Sequence, residues 1–158
     1  MKIGVISDTH GYLNPEVLRL FDGVERILHA GDIGNEEVLQ RLRTVAPVTA
    51  VRGNNDKTGT VSHYPQEERV EVGGKLLLLT HQATLPKGPD DPSLAAYRGM
   101  DAVVSGHSHI ARQELLGGVL FLNPGAAGKP RFRLTPSVAI LTMADGVIAF
   151  SIETLAKR

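Results

Sequence analysis

The 158-residue chain contains no cysteine. Disulfides and thiolate metal sites are therefore excluded, and any metal must be held by imidazole, carboxylate or amide. Tryptophan is absent too, a scarcity that, with few Asn and Gln, suits a thermophile's chain. Neither sign of charge is in excess: Lys+Arg and Asp+Glu are both 17. Nucleic acid is accordingly not favoured as a partner, nor is a membrane surface, because both call for a basic surplus. No apolar run is long enough to span a bilayer. The N-terminus enters a core strand without the basic, apolar and small-residue regions of a signal peptide. The expectation is a cytoplasmic protein.

What is present fits an ordinary globular protein, with 42% hydrophobic and 22% charged residues. The length suits a single domain over residues 1–158. Ile3 to Ile6 forms a short apolar, β-branched run and reads as a buried strand. Asn14 as N-cap and Pro15 as first helical residue open a helix to Phe21. Arg26 to Ala30 reads as a second strand, Glu36 to Arg43 as a helix capped by Asn35, and Val48 to Val51 as a third strand. This β-α-β-α-β opening argues for parallel strands with right-handed crossovers. The pattern then turns mainly to strands. Gly73-Gly74, Gly117-Gly118 and Asp145-Gly146 each sit between apolar runs as hairpin turns. Ala102 to Ser105 is one more buried strand, and Ser93 to Arg98 reads as a short helix. Together these elements predict two packed sheets with helices outside. The hairpin edges leave a homo-oligomer open.

Polar groups recur where the strands stop. The strand ends read Asp8-Thr9-His10, Gly31-Asp32, Gly53-Asn54-Asn55-Asp56, His81 and Gly106-His107-Ser108-His109. Four of the six histidines lie at these points. If Asp8 and His10 are near-extended, alternation points both side chains the same way. The glycines let the backbone turn sharply beside an ion. Two aspartates, one amide oxygen and four imidazoles suit borderline divalent metals. Seven donors exceed one tetrahedral site and suit two ions sharing a carboxylate.

In their order and spacing these motifs resemble the calcineurin-like metallophosphoesterase family, whose pattern runs D-x-H, G-D, G-N-x-D/E, H, G-H-x-H. The short length is similar to that of its small single-domain bacterial and archaeal phosphodiesterases. The resemblance implies an α/β fold, a four-layer α-β-β-α sandwich of two mixed sheets flanked by helices. It implies two divalent ions, with manganese expected and iron, nickel, cobalt or zinc as alternatives. Asp8, His10 and His109 would hold the first ion and Asn54, His81 and His107 the second, with Asp32 bridging. A water or hydroxide shared between the ions would attack a small phosphate ester in line. The implied activity is that of a phosphodiesterase. Phosphomonoesterase or nuclease action is the alternative, as is a protein-binding scaffold like the retromer subunit.

Asn55 departs from the family, which often has His or Cys there as a contact to the leaving group. An amide donates a hydrogen bond but no proton at neutral pH, so esters with good leaving groups are expected to be preferred. Asp56 is read either as orienting a ligand, as carboxylates behind metal sites do, or as a turn residue. Gln82, in Thr80-His81-Gln82, is expected to narrow the entrance. His29 reads as a satisfied core histidine and His63 as a solvated one. Lys129, Arg131 and Arg133 read as a solvated basic run, with phosphate steering as the alternative.

Overall fold

A computed structural model describes residues 1–130 and 133–156. Ten strands fall in chain order: β1 (Lys2–Ile6), β2 (Arg26–His29), β3 (Val48–Ala50), β4 (Glu67–Val72), β5 (Lys75–Thr80), β6 (Ala102–Val104), β7 (Arg112–Leu116), β8 (Val119–Asn123), β9 (Ser137–Ala144) and β10 (Val147–Thr154). The helices are α1 (Pro15–Leu20) and α2 (Glu36–Arg43). One sheet has the order β10-β9-β1-β2-β3 and the other β4-β5-β6-β8-β7. Both are mixed: β1, β2 and β3 run parallel, as do β5, β6 and β8, and antiparallel hairpin partners complete the edges.

Alternation along the strands sets the layers. Ile3, Val5 and Leu28 face Leu77, Leu79, Val104 and Leu122 across the gap between the sheets. On the opposite face of the first sheet, Ile6 and Ile27 pack against Val17 of α1, Phe21 at its C-terminal cap, and Val38, Leu39 and Leu42 of α2. Both helices start as their caps dictate. Asn14 Oδ1 accepts from Glu16 N at 3.0 Å and Asn35 Oδ1 from Val38 N at 3.2 Å.

The outer face of the second sheet carries a thinner layer than the first sheet's two helices. Leu78, Val103, Val119 and Phe121 are covered there by Tyr97 and Met100. The covering segment, Pro92–Tyr97, is a 3-10 turn and not an α-helix. Its first residue is a proline, which supplies no N–H. Tyr97 instead locks the segment through its hydroxyl, which donates to Thr84 O and accepts from Thr84 N, both at 3.0 Å. No described helix is long and apolar enough to cross a membrane.

Candidate metal centre

Backbone bonds draw the ends of the strands together. Past β1 and β2 the ladder continues through Asp8 N to Gly31 O (2.9 Å), His10 N to Asp32 O (2.9 Å) and Gly11 N to Ile33 O (2.8 Å). Past β5 and β6, Gly106 N donates to His81 O at 2.9 Å. The first sheet thus presents Asp8, His10, Asp32 and Asn54, and the second presents His81, His107 and His109.

The loops are not extended, contrary to the expectation for Asp8 and His10. Asp8 (φ 55°), His10 (φ 47°), Asp32 (φ 53°), His107 (φ 70°) and His109 (φ 65°) all adopt left-handed backbone. Side chains with a Cβ enter this region at a cost of about 1–2 kcal/mol each, and such conformations cluster at functional sites. The strain turns each chain end sharply enough to aim its side chain inward. Two glycines act by close approach more than by turning: a Cβ on Gly53 would collide with Asp32, and one on Gly106 with Ser7 Oγ. Gly106→Ala is therefore expected to destabilise the fold by about 1–3 kcal/mol through overpacking. It is also expected to weaken metal binding about tenfold by displacing the support of Asp8. Urea denaturation and a manganese titration measure the two effects.

The hydrogen bonding leaves particular atoms for a cation. Asp8 Oδ2 accepts from Ser7 Oγ at 2.6 Å and His107 N at 3.0 Å. Asp8 Oδ1 is buried and accepts no hydrogen bond. It faces His109 Nε2 at 3.3 Å, His10 Nε2 at 3.7 Å and His81 Nε2 at 3.9 Å. His81 Nδ1 lies 2.8 Å from Ala30 O; a carbonyl can only accept, so this nitrogen carries the proton. In the neutral ring, Nε2 then presents a lone pair to Asn54 Oδ1 at 2.9 Å and Asp32 Oδ2 at 3.4 Å. Acceptors facing acceptors are reconciled only by a proton or a cation.

Burial alone would lower the His81 pKa, but its bond to Asp32 and the Asp8 charge outweigh burial and raise it. Burial likewise opposes ionisation of Asp32. The His81 ring and two Asn55 donors nevertheless hold that carboxyl well below the usual carboxylate range. Asp32 Oδ2 stands 3.4 Å from His81 Nε2 and 3.8 Å from His10 Nε2, between the two sets of donors. Asp8, His10 and His109 offer atoms within 4.8 Å of one another, as do Asp8, Asp32 and His81. His107 Nδ1 reaches Asn54 Oδ1 at 3.1 Å. A buried acceptor without a donor and a nitrogen–oxygen set of this density fit divalent metal binding.

The structure revises two roles. Asn55 Nδ2 donates to Asp32 Oδ2 at 2.8 Å and Asn55 N to Asp32 Oδ1 at 2.9 Å. The side chain is thus turned onto the carboxylate rather than out toward a leaving group. Asp56 accepts from Gly53 N (2.8 Å), Ile33 N (3.0 Å) and Gly34 N (3.0 Å). Its carboxylate ties the loop after β3 to the loop after β2, the turn role of its two readings, and bonds backbone amides instead of a ligand side chain.

His29 is satisfied, as its buried strand position predicts. Its Nδ1 accepts from Gly31 N at 3.1 Å, so Nε2–H donates to Thr9 Oγ1 at 3.1 Å, and Thr9 Oγ1 donates to Ile33 O at 2.8 Å. Burial, helped by the nearby His81, lowers its pKa to about 3. The native ring is therefore neutral where an unfolded one, with a pKa of about 6.5, takes a proton. Stability is fully present above about pH 6.5 and is lost as pH falls toward 3, at about 1.4 kcal/mol per unit. In metal-free protein the loss reaches about 3 kcal/mol by pH 4.5. Urea midpoints at pH 7 and 4.5 for wild type and His29→Asn measure it, and the variant is expected to show the smaller acid loss.

Other polar residues are placed as follows. Gln82 is exposed beside His81 and lines the cleft there. His63 is exposed at the end of a 3-10 turn, Thr60–His63. Lys129 sits 5.7 Å from the centroid of the Tyr12 ring. Arg133 is exposed, and Arg131 lies outside the described residues. Sequence reasoning missed Ser7 and Asn123. Asn123 Nδ2 donates to Gly106 O at 3.0 Å and Ser108 Oγ at 3.2 Å, holding the loop that carries His107 and His109. The signal for Ser7 was a small hydroxyl where a buried strand runs into an aspartate.

Two mixed sheets with imidazoles and carboxylates gathered at the strand ends define a metal-binding α/β protein. Residues 1–146 match the calcineurin-like phosphoesterase superfamily domain, and the chain belongs to that superfamily. A probable metallophosphoesterase of Methanothermobacter thermautotrophicus is 36% identical, covering 92% of this chain and 87% of the relative. The phosphodiesterase YfcE of Escherichia coli K12 is 32% identical, covering 83% and 82%. Among solved structures, an archaeal phosphodiesterase superposes with a TM-score of 0.81 at 24% identity, over 98% of this chain and all (100%) of that one. The likeness to it is one of fold. Zinc-complexed Vps29 of Entamoeba histolytica gives a TM-score of 0.73 at 26% identity, over 98% and 99%.

Proposed function

We infer that this chain, acting as one domain, is a metal-dependent phosphodiesterase with two divalent ions. One observation carries the reading: seven donors from five strand ends converge, and Asp32 Oδ2 stands between two groups of imidazoles. Asp8, His10 and His109 are assigned to one ion and Asn54, His81 and His107 to the other, with Asp32 shared. When bound, such a pair neutralises phosphoryl charge and lowers the pKa of coordinated water.

The chain's own residues set the geometry. Ser7 and the His107 amide fix Asp8 Oδ2 so that Oδ1 turns inward. Ala30 O fixes the His81 tautomer. Asn55 clamps Asp32 with two hydrogen bonds. Because that amide is committed inward, Asn55 supplies no proton to a departing alkoxide. Substrates with weakly basic leaving groups should turn over fastest. A cysteine-free nitrogen–oxygen set supports manganese, with iron, nickel, cobalt and zinc as alternatives. The balanced charge supports a small ester over a long nucleic acid.

Metal analysis followed by hydrolysis of p-nitrophenyl mono- and diesters with manganese tests the reading. About two metals per chain and faster diester turnover are expected. Faster monoester turnover would move the assignment to a phosphomonoesterase. The likeness to Vps29 supports a second reading, a protein-binding scaffold. A protein that holds its metal and hydrolyses neither ester would favour that one.

A further inference from the structure

Two recesses of unlike chemistry meet at Gln82, which lines both. One is a cleft of about 470 Å³ walled by Arg52, Gln66, Glu67, Thr80 and Gln82, with Asn54 and His81 at its edge. Tyr64 O accepts from Arg52 Nη1 at 2.9 Å and Pro65 O from Arg52 N at 2.9 Å, which fixes this wall to the segment leading into β4. The cleft carries one cation and one anion. An arm bearing its own net charge therefore gains little there, while an arm with hydroxyl or amide groups finds donors and acceptors. An apolar arm would strand those groups without partners.

The other recess is smaller, about 160 Å³; Ala83, Leu85, Ile110, Phe121 and Leu122 make it more apolar than the cleft, and Ser105, Ser108, Arg112 and Asn123 line it as well, with His107 at its edge. Burial of a ring against its apolar side chains is favourable. The edges of the two recesses are contiguous. His81 Nε2 and His107 Nδ1 converge on the same Asn54 Oδ1, at 2.9 and 3.1 Å. A phosphoryl group over these three residues has a polar cleft on one side and the smaller, more apolar recess on the other.

We propose that the preferred substrate is a diester with two unlike arms, a neutral hydroxyl- or amide-bearing alcohol in the Arg52–Glu67 cleft and a compact aryl or apolar group in the Leu85–Ile110 recess. This rests on the phosphodiesterase reading. Gln82 is then a specificity-determining residue, standing between the arms.

The experiment uses the manganese-loaded full chain. Thymidine 5′-monophosphate p-nitrophenyl ester and methyl p-nitrophenyl phosphate share a leaving group and differ in the second arm. The thymidine ester is expected to give a kcat/KM about tenfold higher, and Gln66→Ala combined with Glu67→Ala is expected to shrink that ratio. The smaller recess is read by inhibition: phenylphosphonate should bind about tenfold more tightly than methylphosphonate, and Ile110→Asp should erase the difference. Ile110 is 53% exposed, so this change leaves the core packing intact. Ratios near one with turnover present would overturn the two-arm assignment and leave the phosphodiesterase intact. Absence of turnover on both esters would overturn the phosphodiesterase reading itself.

Discussion

Asp32→Asn is expected to reduce diester turnover by about 10³-fold, on the scale of removing a central electrostatic group from an active site. Asparagine is the informative substitution for two reasons. Asp32 occupies left-handed backbone (φ 53°), which asparagine tolerates better than alanine does. Its volume is also unchanged, so the loss reports on charge and not on a cavity. The carboxylate is the atom pair between His10 and His81, at 3.8 and 3.4 Å. A neutral amide there removes the negative charge shared by both groups of donors. Metal stoichiometry by calorimetry is expected to fall below that of wild type along with turnover. His81 also loses the hydrogen bond that raises its pKa, so its ring in the metal-free variant should titrate lower by NMR. Wild-type turnover in Asp32→Asn would remove the shared-carboxylate arrangement from consideration.

Much of this centre was legible because its donors sit where local patterns end. The β1 run stops at Asp8, the β2 run at Asp32 and the β6 run at His107, and in α/β sheets ligands gather at the carboxyl ends of strands. α2 was legible to the residue, since Asn35 caps it and Val38, Leu39 and Leu42 mark one face. The glycine-containing turns at 73–74, 117–118 and 145–146 fixed three hairpins.

Other features were hidden because they depend on partners distant in sequence. Two of the three amides that Asp56 holds, those of Ile33 and Gly34, lie more than 20 residues away. The placement of β9 between β1 and β10 depends on antiparallel pairing of the chain's last hairpin with its first strand. Left-handed backbone at the five aspartates and histidines of the metal centre is opposed by local preference and is held by the surrounding ladder. The 3-10 turn over the second sheet carries the apolar spacing of a helix and is tied down at its end by the Tyr97 hydroxyl, which bonds the Thr84 backbone.

Asn55 separates two effects that its position combines. Its side-chain amide clamps Asp32, and it stands where an imidazole or a thiol would add an ionisable group. Asn55→Ala removes only the side-chain bond of the clamp and keeps the backbone N–H bond to Asp32 Oδ1. Partners that orient metal ligands typically contribute about 10- to 100-fold to metal affinity or activity, and a loss in that range is expected for every ester, whatever its leaving group. Asn55→His also loses the 2.8 Å bond from Nδ2 to Asp32 Oδ2, so its rates on activated aryl esters should fall with those of Asn55→Ala. It gains a group able to donate a proton near neutral pH. General-acid assistance contributes about 10²-fold or more where a basic alkoxide must depart, so alkyl esters should lose less or gain. The measurement is log kcat/KM against leaving-group pKa across a series of diesters. A steep slope is expected for wild type, a parallel and lower line for Asn55→Ala, and a shallower line crossing the wild-type one for Asn55→His. Three parallel lines would mean that proton supply at this position does not limit the reaction, and the preference for good leaving groups would need another origin.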